Sequence, residues 1–339
     1  RCDTRTIESN GRHLDGRRMV ITCRQLATTD PSQAIGGKAE GLTRLLRKGV
    51  PVPEFFVLPP ETHPEAALAA YERMGWGRVA VRSSAIGEDG KEHSFAGMYE
   101  SVLGVRGGAE LSSAIAVCRN SARSPRITAY RAQHGLPETS VAVIIQEMVE
   151  GEASGVLFTR NPMNPERALV SGTYGLGEGV VQGSVPADTF EISEDRRVFP
   201  TVVHKDRCIA LNNGRPTEVE VPESHRNTAC VDDELLREMA QLGWKLERAF
   251  GCPQDIEWTV RNRCLILLQA RPITRPIPTG RRLLWDNSNI IESYYGPTLP
   301  LTYSFAAHAY TIVYRLFSRV MGVDEKTLQT NSDIFPRMI

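Results

Sequence analysis

The segment Asp255-Ile256-Glu257-Trp258 carries two carboxylates two positions apart. On a strand that spacing points both to one face. Leu268-Gln269-Ala270-Arg271 does the same for an amide and a guanidinium. A turn at Arg261-Asn262-Arg263 would fold the two segments into a hairpin with those faces side by side. Charged and amide groups on one sheet face are costly unless they are partnered. Carboxylate and amide oxygens suit Mg²⁺, and a guanidinium suits a phosphate. The same four residues also suit a surface ion-pair network that satisfies itself, and spacing alone leaves both readings open.

Three other stretches carry chemical potential. Gly36-Gly37-Lys38 sits just before a helical pattern, where backbone amides favour an anion. The phosphate-loop pattern is incomplete there: Ser32 replaces its first glycine, and Ala39 follows the lysine. A glycine turn before a helix with a solvated lysine fits equally. Arg82-Ser83-Ser84 reads as the end of a strand opening into a polar loop that could offer a guanidinium and hydroxyls to phosphate. The run from Gly172 to Gly183 is dense in glycine, which marks a sharply bending loop, either closing over a ligand or forming a surface turn. It is not a dinucleotide fingerprint, because Val180 takes the place of the last glycine. Ser94-Phe95-Ala96-Gly97-Met98 has a small, flexible centre suited to a lid.

The elements that would position these residues follow from periodicity and punctuation. Ala39, Leu42, Leu45 and Leu46 repeat at helical spacing, and Gly49 stops that helix. Phe55 to Leu58 and Val79 to Arg82 read as strands, with a short helix from Pro64 to Met74 between them. Leu111 to Ala122 is helical, and Pro125 breaks it. Val141 to Met148 and Ser154 to Phe158 read as neighbouring strands joined by Glu150-Gly151-Glu152. Asp232 and Asp233 can cap a helix with an apolar stripe at Leu235, Leu236, Met239, Leu242 and Leu246, ended by Gly251. Pro272, Pro276 and Pro278 mark a linker, and Tyr303 to Met321 is a further helix. The fold class is therefore α+β with a helical C-terminal extension. The expected organisation is a flexible tail over 1–19, the main domain over 20–275, and a linker leading into a following region over 276–339.

Composition narrows the function. The chain has 339 residues, with 40 basic and 40 acidic side chains, so its formal net charge is zero. That removes the bulk electrostatic case for nucleic-acid binding. No apolar run is long enough to cross a membrane. The first 18 residues hold five arginines and three acids and no apolar core, unlike a secretory signal. Seven cysteines with no C-x-x-C pair argue against a zinc site or a disulfide frame. These features fit a cytoplasmic protein with reduced thiols.

Taken in order, Gly36-Gly37-Lys38, Gly49-Val50-Pro51-Val52-Pro53, Val81-Arg82-Ser83-Ser84-Ala85, Ser94-Phe95-Ala96-Gly97, Gln146-Glu147-Met148, Gly155-Val156-Leu157-Phe158-Thr159, Gly175-Leu176-Gly177-Glu178 and Gln269-Ala270-Arg271-Pro272 form a series. The series resembles the N-terminal ATP-binding domain of the phosphoenolpyruvate synthase and pyruvate phosphate dikinase family. The resemblance runs from about Ile35 to Thr274. Trp285-Asp286-Asn287-Ser288-Asn289 and Pro300-Leu301-Thr302-Tyr303-Ser304 resemble the segment that follows in synthase-like members. The resemblance implies an ATP-grasp-like fold with nucleotide between two lobes. Lys38 and Arg82 would contact the phosphates, with Gly97 and Ser101 in the loop over them. Gln146 would lie near the adenine. Glu257 and Gln269 would hold Mg²⁺ with Asp255 nearby, and Arg271 would grip the transferred phosphates. The family reaction phosphorylates a histidine on a separate mobile domain, which carries the phosphoryl group to pyruvate. Neither His225 nor His308 has the family's T-S-H-A context, so the phosphohistidine carrier and the pyruvate-binding domain are expected to lie outside this chain. Such a chain would not complete the full reaction alone. A rifampin phosphotransferase-like acceptor and a nucleotide-binding module without turnover are the competing expectations.

Overall fold

A computed structural model describes residues 20–28, 35–86, 99–135, 140–273 and 300–332. The expected tail over 1–19, the Ser94–Met98 motif with Gly97, most of the proline-marked linker and the Trp285–Asn289 motif lie outside them. The chain divides into two compact units, Arg1–Ile277 and Pro278–Ile339.

In the first unit the elements run β1 (Ile21–Thr22), α1 (Cys23–Thr28), α2 (Gly36–Arg47), β2 (Phe55–Leu58), α3 (Pro64–Met74), β3 (Val79–Ala85), β4 (Ser101–Val105), α4 (Gly107–Ser121), α5 (Pro125–His134) and β5 (Val141–Glu147). They continue β6 (Ala153–Phe158), β7 (Arg167–Tyr174), α6 (Glu178–Gln182), β8 (Asp188–Ser193), β9 (Val198–Thr201), β10 (Arg207–Asn212), β11 (Arg215–Glu220), α7 (Asp233–Phe250), β12 (Gln254–Arg261) and β13 (Cys264–Pro272). The strands form an antiparallel five-stranded sheet in the order β1-β2-β5-β3-β4, a six-stranded sheet in the order β13-β12-β6-β7-β8-β9, and the hairpin β10-β11.

The five-stranded sheet is apolar on both faces because helices cover both. Phe56, Leu58, Val79, Val81, Val143 and Ile145 pack with Ala67, Ala70, Leu111 and Ile115 of α3 and α4. The alternate residues Phe55, Val57, Ala142 and Ile144 pack with Leu26 of α1 and with Ala39 and Leu42 of α2. Each fully buried side chain of this size contributes about 1.5–3 kcal/mol relative to exposure. The six-stranded sheet packs its apolar face on α7. Ile256, Trp258, Leu157, Val170 and Phe190 meet Leu236, Met239 and Trp244 of α7. Asp232 caps that helix through the Leu235 amide at 2.9 Å. The opposite face carries the polar alternates of the same strands, including Ser154, Thr259, Glu257 and Asp255.

Helix α2 joins the two sheets. Leu45 belongs to the core of the six-stranded sheet, although Ala39 and Leu42 belong to the other. Gly41 lies so close to β13 that a Cβ there would stand 2.4 Å from the Ala270 carbonyl oxygen. The Leu267 amide of β13 donates to the Pro51 carbonyl at 3.0 Å, covering part of that sheet edge.

Four expectations are corrected. β5 and β6 are not neighbours; they belong to different sheets, and 148–152 is the crossing between them. Ser83 and Ser84 do not open a loop but lie buried inside β3. Their hydroxyls are satisfied there: Ser83 donates to the Glu100 carbonyl at 2.7 Å, and Ser84 accepts the Ala39 amide at 3.1 Å. Pro125 ends no helix; it begins α5, where its missing amide hydrogen costs nothing. The glycine-rich run is not one open loop, since it comprises the end of β7, a bridge from Gly175 to Ile209 and the short helix α6.

The second unit holds α8 (Pro300–Val320) and α9 (Glu325–Thr330). Arg315 and Arg319 of α8 bond Glu325 at 3.0 and 2.8 Å. Among the described residues no helix is long and apolar enough to cross a membrane, and the described cysteines are free thiols.

Candidate active site

The β12-β13 hairpin forms as its spacing predicts, with Asn262 and Arg263 turning at positive φ of 51° and 59°. Asp255 stands opposite Arg271, and Glu257 opposite Gln269. The register shifts just after Glu257, a bulge that lets Gln269 and Ala270 follow without losing the pairing. Arg271 grips the Oδ2 of Asp255 from Nε at 2.8 Å and from Nη2 at 2.7 Å.

The five-stranded sheet supplies the other half. Arg82 stands opposite Ile144 on one side and Ser101 on the other, and Ala80 stands opposite Gln146. Directly opposed residues share a face, so Arg82, Ser101 and Gln146 all lie on the side occupied by α2. From there Arg82 crosses to the hairpin. Its Nη2 donates to Glu257 Oε2 at 2.6 Å and to Gln269 Oε1 at 2.8 Å, and its Nη1 donates to the Leu268 carbonyl at 3.2 Å. Lys38, in the first turn of α2, places its Nζ 5.5 Å from the centre of the Tyr99 ring.

Electrostatics separate the two carboxylates. Burial pushes the Glu257 pKa up, but the charge and hydrogen bond of Arg82, with the charges of Arg271 and Lys38, outweigh it and leave it below the usual range. Burial dominates at Asp255 and raises its pKa despite the Arg271 bond. Among the described residues Lys38, Arg82 and Arg271 all act on Glu257, and cations of this kind attract a polyanion. The oxygens Glu257 Oε1 and Asp255 Oδ1 take no part in these ion pairs. No group of three or more His, Cys, Asp or Glu residues suited to a metal occurs among the described residues. The fit is instead to a cation held by one or two carboxylates and by the oxygens of a bound phosphate, the usual arrangement for Mg²⁺.

Comparison with known proteins bears on this arrangement. The family profile for the AMP/ATP-binding domain of pyruvate phosphate dikinase matches residues 58–280, more than half of the chain. The chain belongs to this family. It is 36% identical over 201 residues to a probable phosphoenolpyruvate synthase of Archaeoglobus fulgidus, covering 58% of this chain and 27% of that protein. It is 32% identical over 313 residues to the prodigiosin synthesizing transferase PigC of Serratia marcescens, covering 78% and 34%. It is 36% identical over 206 residues to the rifampicin phosphotransferase of Bacillus cereus, covering 59% and 24%. The chain thus spans about a quarter to a third of these relatives.

As a dikinase-family AMP/ATP-binding domain, the chain brings Arg82, Asp255, Glu257, Gln269 and Arg271 into one cluster, with Lys38 within electrostatic reach and Ser101 opposite Arg82. Gln146 is nearly fully buried, and its Nε2 has no hydrogen-bond partner. It stands on β5 just before the crossing between the sheets. Gly97 lies outside the described residues. His225 and His308 are both exposed. Sequence reasoning missed Arg131 of α5. That guanidinium is nine-tenths buried and donates to the Tyr99 hydroxyl at 2.8 Å, beneath the Lys38 side chain. Its only local signal is an arginine four residues after the buried Ile127, on one helix face.

Proposed function

We propose that this domain binds Mg·ATP between its two sheets, in an ATP-grasp-like manner, and donates a phosphoryl group to a histidine on a separate domain. The observation that carries this reading is the Arg82 bridge to Glu257 and Gln269, flanked by the Asp255–Arg271 pair. It joins the two sheets through groups that match phosphate and metal. Lys38, Arg82 and Arg271 bind and orient the phosphates. Glu257 and Gln269, with Asp255 beside them, hold the Mg²⁺, which when bound neutralises charge on the transferring phosphates. Gln146 offers its unpartnered amide to the adenine, and Ser101 faces the phosphate side.

Phosphoryl transfer asks for positioning and charge neutralisation more than covalent help. A preformed set of guanidinium groups on rigid strands supplies both. Completion of the family reaction, with release of AMP and phosphate and delivery to pyruvate or another acceptor, is assigned to domains beyond this chain. The length of the relatives supports that reading. The setting is cytoplasmic, where ATP and reduced thiols coexist.

Calorimetric titration of the chain with ATP tests the reading. Saturable binding that strengthens when Mg²⁺ is added is expected. A folded chain that shows no saturable heat with ATP in either condition overturns it. Label transferred from ATP to a histidine domain supplied in trans would separate the donor from a binding module.

A further inference from the structure

Arg78 precedes β3 and touches three parts of the first unit. Its backbone carbonyl accepts the Met148 amide at 3.0 Å, at the crossing between the sheets. Its Nη1 donates to the Gly104 carbonyl of β4 at 3.0 Å and to the Gly214 carbonyl at 3.4 Å. Gly214 forms the tip of the β10-β11 hairpin with Asn213, at φ of 81° and 51°, the left-handed pair a two-residue turn requires. The fit at the tip leaves no room for side chains. A Cβ on Gly104 would stand 2.2 Å from the Gly214 oxygen, and one on Gly214 would stand 2.0 Å from Arg78 Nη1.

The middle of β10 meets the other sheet. Ile209 accepts the Leu176 amide at 2.7 Å and bridges to Gly175, which continues from β7 of the six-stranded sheet. The hairpin therefore meets one sheet along β10 and the other at its tip. Its outer strand β11 is exposed or half-buried along its whole length, and its apolar packing comes from β10, where Cys208 is buried and Ile209 and Leu211 lie beside Gly179 and Gly104. A cavity of about 630 Å³ lies beside the docked hairpin, lined by Ser101 and Gly104 of β4, Glu110 of α4, Glu178 of α6 and Arg215 of β11. At the tip the polar contacts of Arg78 join the hairpin to β4.

We propose that Arg78 is a positioning residue. It clasps the hairpin tip to β4 and so fixes the relation of the two sheets across which Arg82 reaches Glu257 and Gln269. The link to the site is short. Arg82 lies four residues on, within β3, and Ser101, opposite Arg82, lies three residues before Gly104 on β4. The consequence for nucleotide rests on the reading above that this site binds Mg·ATP; the clasp itself does not.

The test uses the full chain and two readouts. Arg78→Ala removes the donor, and Gly214→Asn keeps the left-handed turn while driving a side chain into Arg78. Hydrogen exchange is expected to accelerate over 207–220 and 101–105 in both variants, with the rest of the six-stranded sheet unchanged. Mg·ATP affinity is expected to fall roughly tenfold in each, in line with the loss of charge-assisted hydrogen bonds. The double variant is expected to fall no further than either single, and Arg78→Lys to recover most of the loss. Unchanged exchange in a folded Arg78→Ala or Gly214→Asn chain overturns the clasp, whether or not nucleotide binds. Faster exchange with wild-type affinity overturns its role in positioning. A wild-type chain that binds no Mg·ATP defeats the functional reading and leaves the exchange result to decide the clasp.

Discussion

Two ion-pair clusters in the first unit pair basic side chains with carboxylates to opposite ends. In one, Lys205 Nζ meets Asp188 Oδ1 at 2.6 Å, and both side chains are fully buried. Every oxygen of that carboxylate is used, since Oδ1 also accepts the Val203 amide and Oδ2 the Cys230 amide, each at 3.0 Å. The ammonium donates in addition to the Val203 carbonyl at 3.0 Å. In the other, the Arg82–Glu257 and Arg271–Asp255 pairs keep side-chain exposures of 12%, 24%, 34% and 11%. Each carboxylate there keeps one oxygen outside the ion pair. A saturated cluster has nothing to offer a ligand and serves to tie β8 to the segment before β10. A cluster whose carboxylates each keep one oxygen outside the ion pair, beside guanidinium groups, can exchange partners with an incoming polyanion.

Breaking the closed cluster is expected to give the largest effect, and on stability alone. Lys205→Met leaves the Asp188 carboxylate buried without its counter-charge, a change that destabilises by about 3–5 kcal/mol. Chemical denaturation of the variant should show that loss. A Lys205→Met chain as stable as wild type would mean that the pair is not a closed structural unit, and the contrast drawn here would fail.

Breaking the open cluster is expected to act on binding instead. Glu257→Ala and Arg271→Ala should each weaken Mg·ATP binding by about 100-fold or more, as expected for losing a charge-assisted contact to metal or phosphate. Stability should fall less than in Lys205→Met, because these pairs are partly buried where the Lys205–Asp188 pair is fully buried. Calorimetry and denaturation on the same samples check both halves. Normal ATP affinity in both variants would remove this cluster from the nucleotide site.

The contrast also explains what was legible in the sequence. The β12-β13 hairpin could be read because its information is local: alternate residues share a face, and Asn262 marks the turn. The helix of Leu235 to Leu246 could be read for the same reason, from its stripe and its Asp232 cap. The Asp188–Lys205 pair could not, since its partners lie 17 positions apart and meet only through the path of β8, β9 and the following segment. Ser83 and Ser84 read as loop residues because hydroxyls usually mark the surface. Inside β3 their partners come from Glu100 and Ala39, which no local pattern shows. The assignment of β5 and β6 to one sheet failed similarly, as two apolar strands with a short link look alike whether they pair or cross between lobes. The ordered motifs that resemble the dikinase family survived these errors because they rest on identity at each position, not on periodicity.

The finest test lies within the open cluster, between its two carboxylates. Glu257 is held below the usual carboxylate range: burial acts against its charge, but Arg82 outweighs it. A depressed folded-state pKa contributes stability that is present above the unfolded value, near 4.3, and is lost as pH falls through the folded value. Asp255 is shifted upward, chiefly by burial. Its contribution has the reverse sign: it is fully present below the unfolded value, near 3.9, and is lost as pH rises through the folded value. Urea midpoints of the ligand-free chain, taken from acid to neutral pH, should therefore diverge in opposite directions. Relative to wild type, Glu257→Gln should lose stability as pH rises through the carboxylate range, and Asp255→Asn should gain it. Parallel slopes for the two variants would show that Arg82 does not distinguish the carboxylates. The bridge between the sheets would then be a surface contact without the field that a phosphate site needs.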